Sequence, residues 1–182
     1  FIKPQLEKIQ KVKDKAGNKK FKQREELARK RVSKTADVVI KGIKSGFVFK
    51  PDTDAELAIL IAQDYIMNLI NPSYKLIDYN DKEPFDCMLY DESRAEYIYT
   101  ELEPTLIEFL EHKNKNDIQL IIVWSLGKWR MGDTKKGKEG WFKLTHPDNS
   151  PKGHYKLLQF VSEESLKPKK PFQIIVVSEI LK

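Results

Sequence analysis

A chain of 182 residues, 40% apolar and 33% charged, has a soluble, globular composition with room for one medium domain and an added arm. No apolar run approaches the roughly 20 residues that span a bilayer, and no signal-peptide pattern opens the chain. The single cysteine, Cys87, excludes an internal disulfide framework and fits a reducing compartment, cytoplasmic or nuclear.

The net charge of +6 is unevenly spread. Residues 1–50 hold 16 Lys or Arg against 5 Asp or Glu, a local +11, which leaves −5 for the rest. Such a basic arm on a mildly acidic body suits a polyanion, because phosphate binding depends on clustered Lys and Arg. A solvated helix surface fits the same residues equally well. A start at Phe1 rather than Met leads one to expect a processed product or, ahead of it, a piece excised from a longer protein with further domains.

In chain order, Leu6, Ile9 and Val12 give residues 3–15 a weak helical stripe, which Gly17–Asn18 ends. A second helix is expected over about 20–43, with Phe21, Leu27, Val32, Ala36, Val39 and Ile40 on one side and Arg29, Lys30 and Arg31 on the other. Gly42 and Gly46 then loosen the chain, and a boundary near 46/47 separates the arm (1–46) from the body (47–182). Asp52, Thr53 or Asp54 can cap a longer helix that runs to Asn71–Pro72, with Leu57, Leu60, Ile61, Tyr65 and Leu69 as its buried face.

From Tyr74 the pattern turns strand-like. YKLIDY (74–79) is a strand, residues 81–84 a turn, and FDCMLYD (85–91) and EYIYTEL (96–102) a hairpin. Pro104 is expected to end that strand and start a helix through Glu111. QLIIVWSL (119–126) is apolar throughout, so both of its faces should be covered. The Gly- and Lys-rich stretch from Gly127 to Trp141 reads as a mobile loop with Trp129 and Trp141 packed at its ends. YKLLQFVS (155–162) and PFQIIVVSEIL (171–181) supply two more strands. The expected fold is therefore α/β, a central mixed sheet flanked by helices, with an N-terminal basic helical arm.

Chemistry-bearing motifs are few. The phosphate loop, the dinucleotide fingerprint and the serine-hydrolase elbow are all absent. One Cys and three scattered His (His112, His146 and His154) do not make a zinc site. Cys87 lacks a neighbouring base in sequence and reads as a buried structural thiol. The acids remain. Asp86 opens one strand, and a strand would turn Glu101 and Glu103 to one face. Carboxylates placed this way suit a hard divalent cation, which uses one or two of them and keeps waters as a source of nucleophile. Paired acids near strand ends also occur with no such role. Glu56, in the first turn of its helix, either favours the helix dipole or turns inward to the same site.

Together, Glu56, then FDCMLYD, YIYTELE and LIIVW resemble the PD-(D/E)XK nuclease superfamily, the restriction-endonuclease-like fold. In that superfamily an early helix carries a glutamate, an acid begins the second strand, E-x-K lies on the third, and a hydrophobic strand follows. The likeness covers about residues 52–127. Within it, EFLEHKNKNDIQLIIVW is similar to the ending of nuclease-like domains at the C-terminus of prokaryotic ATPases. The resemblance implies Asp86, Glu101 and Glu103 as metal ligands for Mg²⁺ or Mn²⁺, and Glu56 as an outer acid. It implies nucleic acid as partner, DNA ahead of RNA, while the lack of a long apolar run leads one to expect no membrane. Glu103 stands where the lysine belongs; Lys75, Lys113, Lys115 and Lys128 are candidates to replace it, and His112 to lie nearby. Two expectations follow, a Mg²⁺-dependent endonuclease or a non-cutting copy that binds nucleic acid or assembles with protein.

Overall fold

The apolar runs of the body pair into one eight-stranded mixed sheet. The computed structural model describes residues 50–80, 85–111, 117–165 and 167–182, with Lys19, Lys22, Gln23, Glu26, Val39–Ile40 and Ile43–Lys44. The chain divides into two compact units, Phe1–Val38 with Lys44–Lys50 and Val39–Ile43 with Pro51–Lys182. In the first unit Lys19, Lys22, Gln23 and Glu26 are helical, and the rest of the expected helices over 3–15 and 20–38 lies outside the described residues. The end of the second expected helix is not helical: β1 (Val39–Ile40) and β2 (Ile43–Lys44) pair as strands instead. The β-branched residues Val39, Ile40 and Ile43 around Gly42 favour that outcome.

The body begins with two helices, α1 (Asp54–Ile61) and α2 (Asp64–Ile70), where one continuous helix was expected. Leu57, Leu60 and Ile61 are buried as read, but a helix continued past Ile61 would carry the same stripe onto Asp64 and Asn68. The chain breaks instead at Gln63, which is extended. Asp64 then starts a fresh first turn, where the helix dipole favours it, and Ile66, Met67 and Ile70 become the buried face. Tyr65 is exposed as a consequence.

The strands are β3 (Tyr74–Tyr79), β4 (Cys87–Asp91), β5 (Glu96–Thr105), β6 (Leu120–Ser125), β7 (Thr134–Gly137), β8 (Gly140–Thr145), β9 (His154–Phe160) and β10 (Lys170–Val176). Across the sheet they run β3-β4-β5-β6-β10-β9-β8-β7. The β5–β6 and β6–β10 pairs are parallel and the others antiparallel. Short helices α3 (Leu106–Phe109) and α4 (Val177–Ile180) follow β5 and β10.

Three further expectations are corrected. Pro104 does not end β5, which runs on to Thr105. The Leu102 N–H points to the β4 side, so the nitrogen of Pro104 does too, beyond the start of β4 at Cys87, and no ladder bond is lost. Residues 127–141 are not a loop throughout, since β7 and the start of β8 form a hairpin there. The last apolar run turns into α4 after Val176 instead of remaining a strand to its end.

Pairing fixes the two faces of the sheet. Glu101 and Glu103 lie opposite Ile121 and Val123, and these lie opposite Ile174 and Val176. That face carries the main core, with Leu106, Phe109, Phe142, Leu144, Leu157 and Phe172 packed on it. The Phe109 ring meets Phe172 edge-on, with centroids 5.4 Å apart. Leu89, Leu102 and Ile122 project to the other face, fully buried, where α1 packs against β5. Burial of β6 on both faces is as its apolar run required. Among the described residues, no helix is long and apolar enough to cross a membrane.

Candidate acidic site

Asp86 immediately precedes β4, and its Oδ2 accepts the N–H of Leu102 at 2.8 Å. The strand has not yet begun there, so the side chain supplies the acceptor that a further ladder residue would have given. Cys87 pairs with Thr100, which sets Asp86 across from Glu101. Alternation then puts Glu103 one step further along the same face of β5. Glu101 is 7% exposed and Glu103 2%, and Oε2 of Glu101 and Oε1 of Glu103 are shielded from solvent. Two carboxylates at the rim of an apolar core are costly to keep charged without compensation.

The electrostatics of Asp86 report this crowding. Burial, opposed by the Leu102 hydrogen bond, and then the carboxylates of Glu101, Asp54 and Glu103 push its carboxyl up to about 7. Asp54, the first residue of α1, is therefore the helix acid that acts on the site, and sequence reading considered it only as a cap. Its influence depends on where the helix N-terminus meets the strands, which one-dimensional spacing does not record.

Glu56, the acid expected from the helix, has a different engagement. Thr53 caps α1 by accepting the Glu56 N–H at 3.2 Å, while Glu56 Oε2 accepts the Asp52 N–H at 2.9 Å. This is a near relative of the capping box, and it ties the Glu56 carboxylate to the helix end. Cys87 is buried, and burial, then Asp86 and Glu101, push its thiol far up, the reverse of an activated nucleophile.

Of the lysines that could replace the missing one, Lys113 and Lys115 lie outside the described residues, as does His112. Lys75 is on β3 opposite Tyr90, several residues along the sheet from the acids. Lys128 follows Gly127, whose backbone lies against the Thr105 side chain two residues beyond Glu103, so it is at the same end of the sheet. His154 opens β9 and is half-buried, and burial and then His146 lower its pKa.

On the same face as the acids, Tyr97 and Tyr99 are 55% and 36% exposed. Tyr97 packs with Tyr90 and Tyr99 with Phe85, centroids 5.2 and 4.9 Å apart. The acids are thus bordered by open aromatic surface. Carboxylate oxygen is the donor that a hard cation takes. Among the described residues, however, no group of three or more His, Cys, Asp or Glu side chains is gathered closely enough to hold a metal ion. Asp86, Glu101 and Glu103, expected as three ligands of one cation, are therefore not gathered into one such group. No protein-family model, no curated protein and no solved structure matches the chain.

Proposed function

We propose that the body is a nuclease-like domain that engages nucleic acid, DNA ahead of RNA, as part of a larger protein. Its acidic site is the place of divalent-cation-assisted phosphodiester cleavage. The observation that carries this reading is Asp86, tied to Leu102 of β5 and driven up to about 7 by burial and then by Glu101, Asp54 and Glu103. A charge cluster of this kind, at strand ends, is relieved by a cation. The order two helices, three antiparallel strands, short helix, parallel strand from α1 to β6 also supports a restriction-endonuclease-like arrangement. Tyr97 and Tyr99 add base-stacking surface beside the acids.

Asp86 and Glu101 would hold Mg²⁺ or Mn²⁺, and Glu103 would orient water or lend charge at the rim. A bound cation would supply an activated water and neutralise charge on the phosphate. Asp86 is positioned by the Leu102 N–H, and the apolar core behind Glu101 and Glu103 excludes bulk water from their inner oxygens. The test is incubation of plasmid and single-stranded DNA with the full chain and Mg²⁺ or Mn²⁺. Cleavage that is lost in Asp86→Ala and Glu101→Ala is expected; no cleavage with either metal, or cleavage unchanged in Asp86→Ala, rejects the catalytic reading.

Glu103 favours a second reading, a non-cutting copy that binds nucleic acid or assembles with protein. The substitution Glu103→Lys separates the two. It would restore E-x-K and create cleavage in a copy that had lost it, whereas in an enzyme that uses Glu103 it would lower the rate.

A further inference from the structure

Strands β7 to β10 pair antiparallel, and one face of them is core, with Phe142, Leu144, Leu157 and Phe172 turned into it. Strand alternation sends Lys136, Lys143 and Lys156 to the other face, and all three are exposed. Register places them on a diagonal. Lys136 is level with Trp141 and Phe160, Lys143 is level with Leu158, and Lys156 is level with Gln173. Each lysine is one strand over and two residues along from the last, a step of about 7–8 Å.

Trp141, Phe160, Leu158 and Pro171 lie on that same face, on one side of the diagonal. Pro171 is exposed and the other three are half-buried, so an open apolar surface borders the lysines. None of the four strands contains an Asp or Glu, which makes this face a local exception in an acidic body. Among the described residues, none of the three lysine side chains is in an ion pair. The nearest acids in sequence lie off the strands: Asp133 before β7, Glu139 in the β7–β8 turn, and Glu163 and Glu164 after β9. The Asp133 carboxylate accepts the Arg130 N–H. Lys135 and Lys170 belong to the core face, over the Trp129 and Phe172 rings, and add nothing to this surface.

We propose that this face holds a single strand of nucleic acid, its phosphates along the lysine diagonal and its bases against Trp141, Phe160 and Leu158. Unpaired bases expose the rings that stack on aromatic side chains, whereas a duplex keeps them stacked on one another. Glu101 and Glu103 are on the opposite face of the sheet, so the lysine face grips the strand away from the acids. The inference rests on the reading that the body engages nucleic acid, and adds the form of the strand and the place that holds it.

Fluorescence anisotropy of the full chain with labelled oligothymidylate and a duplex of equal length tests it. Lys136→Gln/Lys143→Gln/Lys156→Gln should weaken the single strand at least fivefold and the duplex less than twofold. It should also lower the single-strand slope of log K against log salt by about 2, at roughly 0.7 per phosphate contact. Stacking is read separately: oligothymidylate should quench tryptophan emission, polyphosphate should not, and Trp141→Phe should remove most of the quenching. The three lysines are exposed, so thermal unfolding should be unchanged in the triple variant. If it is lowered, single Lys143→Gln, with a third of the slope change, takes its place. Single-strand binding that survives the substitutions, an equal loss for the duplex, or quenching unchanged in Trp141→Phe overturns the face and leaves nucleic-acid engagement standing. No binding of either oligonucleotide at low salt rejects that engagement as well.

Discussion

Asp86 lies between two demands, a backbone N–H that wants a carboxylate, and burial with three neighbouring acids, which oppose its charge. Its folded pKa, about 7, is above the ordinary 3.8, so the folded state holds its proton more tightly than the unfolded chain. The Asp86 contribution is therefore most favourable below pH 3.8, declines as pH rises, and is fully lost above about 7. Asp86→Asn keeps an acceptor for Leu102 and removes the titration. It should raise stability at pH 8 by on the order of 1 kcal/mol, since solvent screens part of the shift, and leave pH 4 nearly unchanged. Urea unfolding midpoints at the two pH values check this, and equal differences at both would refute it. Glu56 yields the complementary expectation. Because its carboxylate accepts the Asp52 N–H, Glu56→Gln should cost a few tenths of a kcal/mol and Thr53→Ala about 1 kcal/mol, with any Asp86-dependent cleavage retained in both. Thermal unfolding and a plasmid assay measure the two effects separately. Asp86, Glu101 and Glu103 were legible in sequence because strand alternation is local. Asp54 was not, because its effect arises where a helix end meets strands distant in sequence.

At the scale of elements, the strands with strong apolar alternation were read within a few residues, and the misses have particular causes. The β7–β8 hairpin was hidden because β7 reads Thr-Lys-Lys-Gly, with little apolar residue to show a period. Its pairing is imposed by Trp141 and Phe142 across from it and by β9 on the far side of β8. The break between α1 and α2 was hidden because AILIAQDYIMNLI is apolar around most of the helix, so the period alone does not show that continuing it would bury Asp64 and Asn68. Gly140 is where the hairpin meets its tightest constraint. Its φ is +130°, and a Cβ there would lie 2.4 Å from the Phe160 carbonyl oxygen, a backbone atom that cannot swing away. Gly140→Ala should therefore lower stability by about 2–4 kcal/mol. Gly132 has φ +83° with nothing within 4 Å of its notional Cβ, so Gly132→Ala should cost only backbone strain, about 1 kcal/mol. Denaturant unfolding of the two variants side by side checks the contrast; equal losses would mean that the Phe160 approach contributes nothing.

For the whole molecule, α1 to β6 was read in order because each element there pairs with its sequence neighbour. The second half was less legible. β10 returns from the far end of the sheet to lie parallel beside β6, and no local pattern announces a pairing some 50 residues away. The acids lie together in the sheet, where β4 begins and β5 nears its end and where α3 and Gly127 follow. Charge is segregated along the chain as well, since residues 1–50 carry +11 and the remainder −5. An acidic body repels a polyanion at long range, so nucleic-acid affinity should come chiefly from the arm, and its salt dependence should count the phosphates that the arm contacts. Replacing Arg29, Lys30 and Arg31 together by Gln should weaken binding at low salt. It should also reduce the slope of log K against log salt by up to about 2–3, at roughly 0.7–0.9 per phosphate contact. Fluorescence anisotropy of a labelled oligonucleotide across a salt series measures both quantities. If the slope is unchanged while affinity falls, the three side chains act through the arm's own folding; if neither changes, the basic arm is a solvated surface and nucleic acid is held by the body.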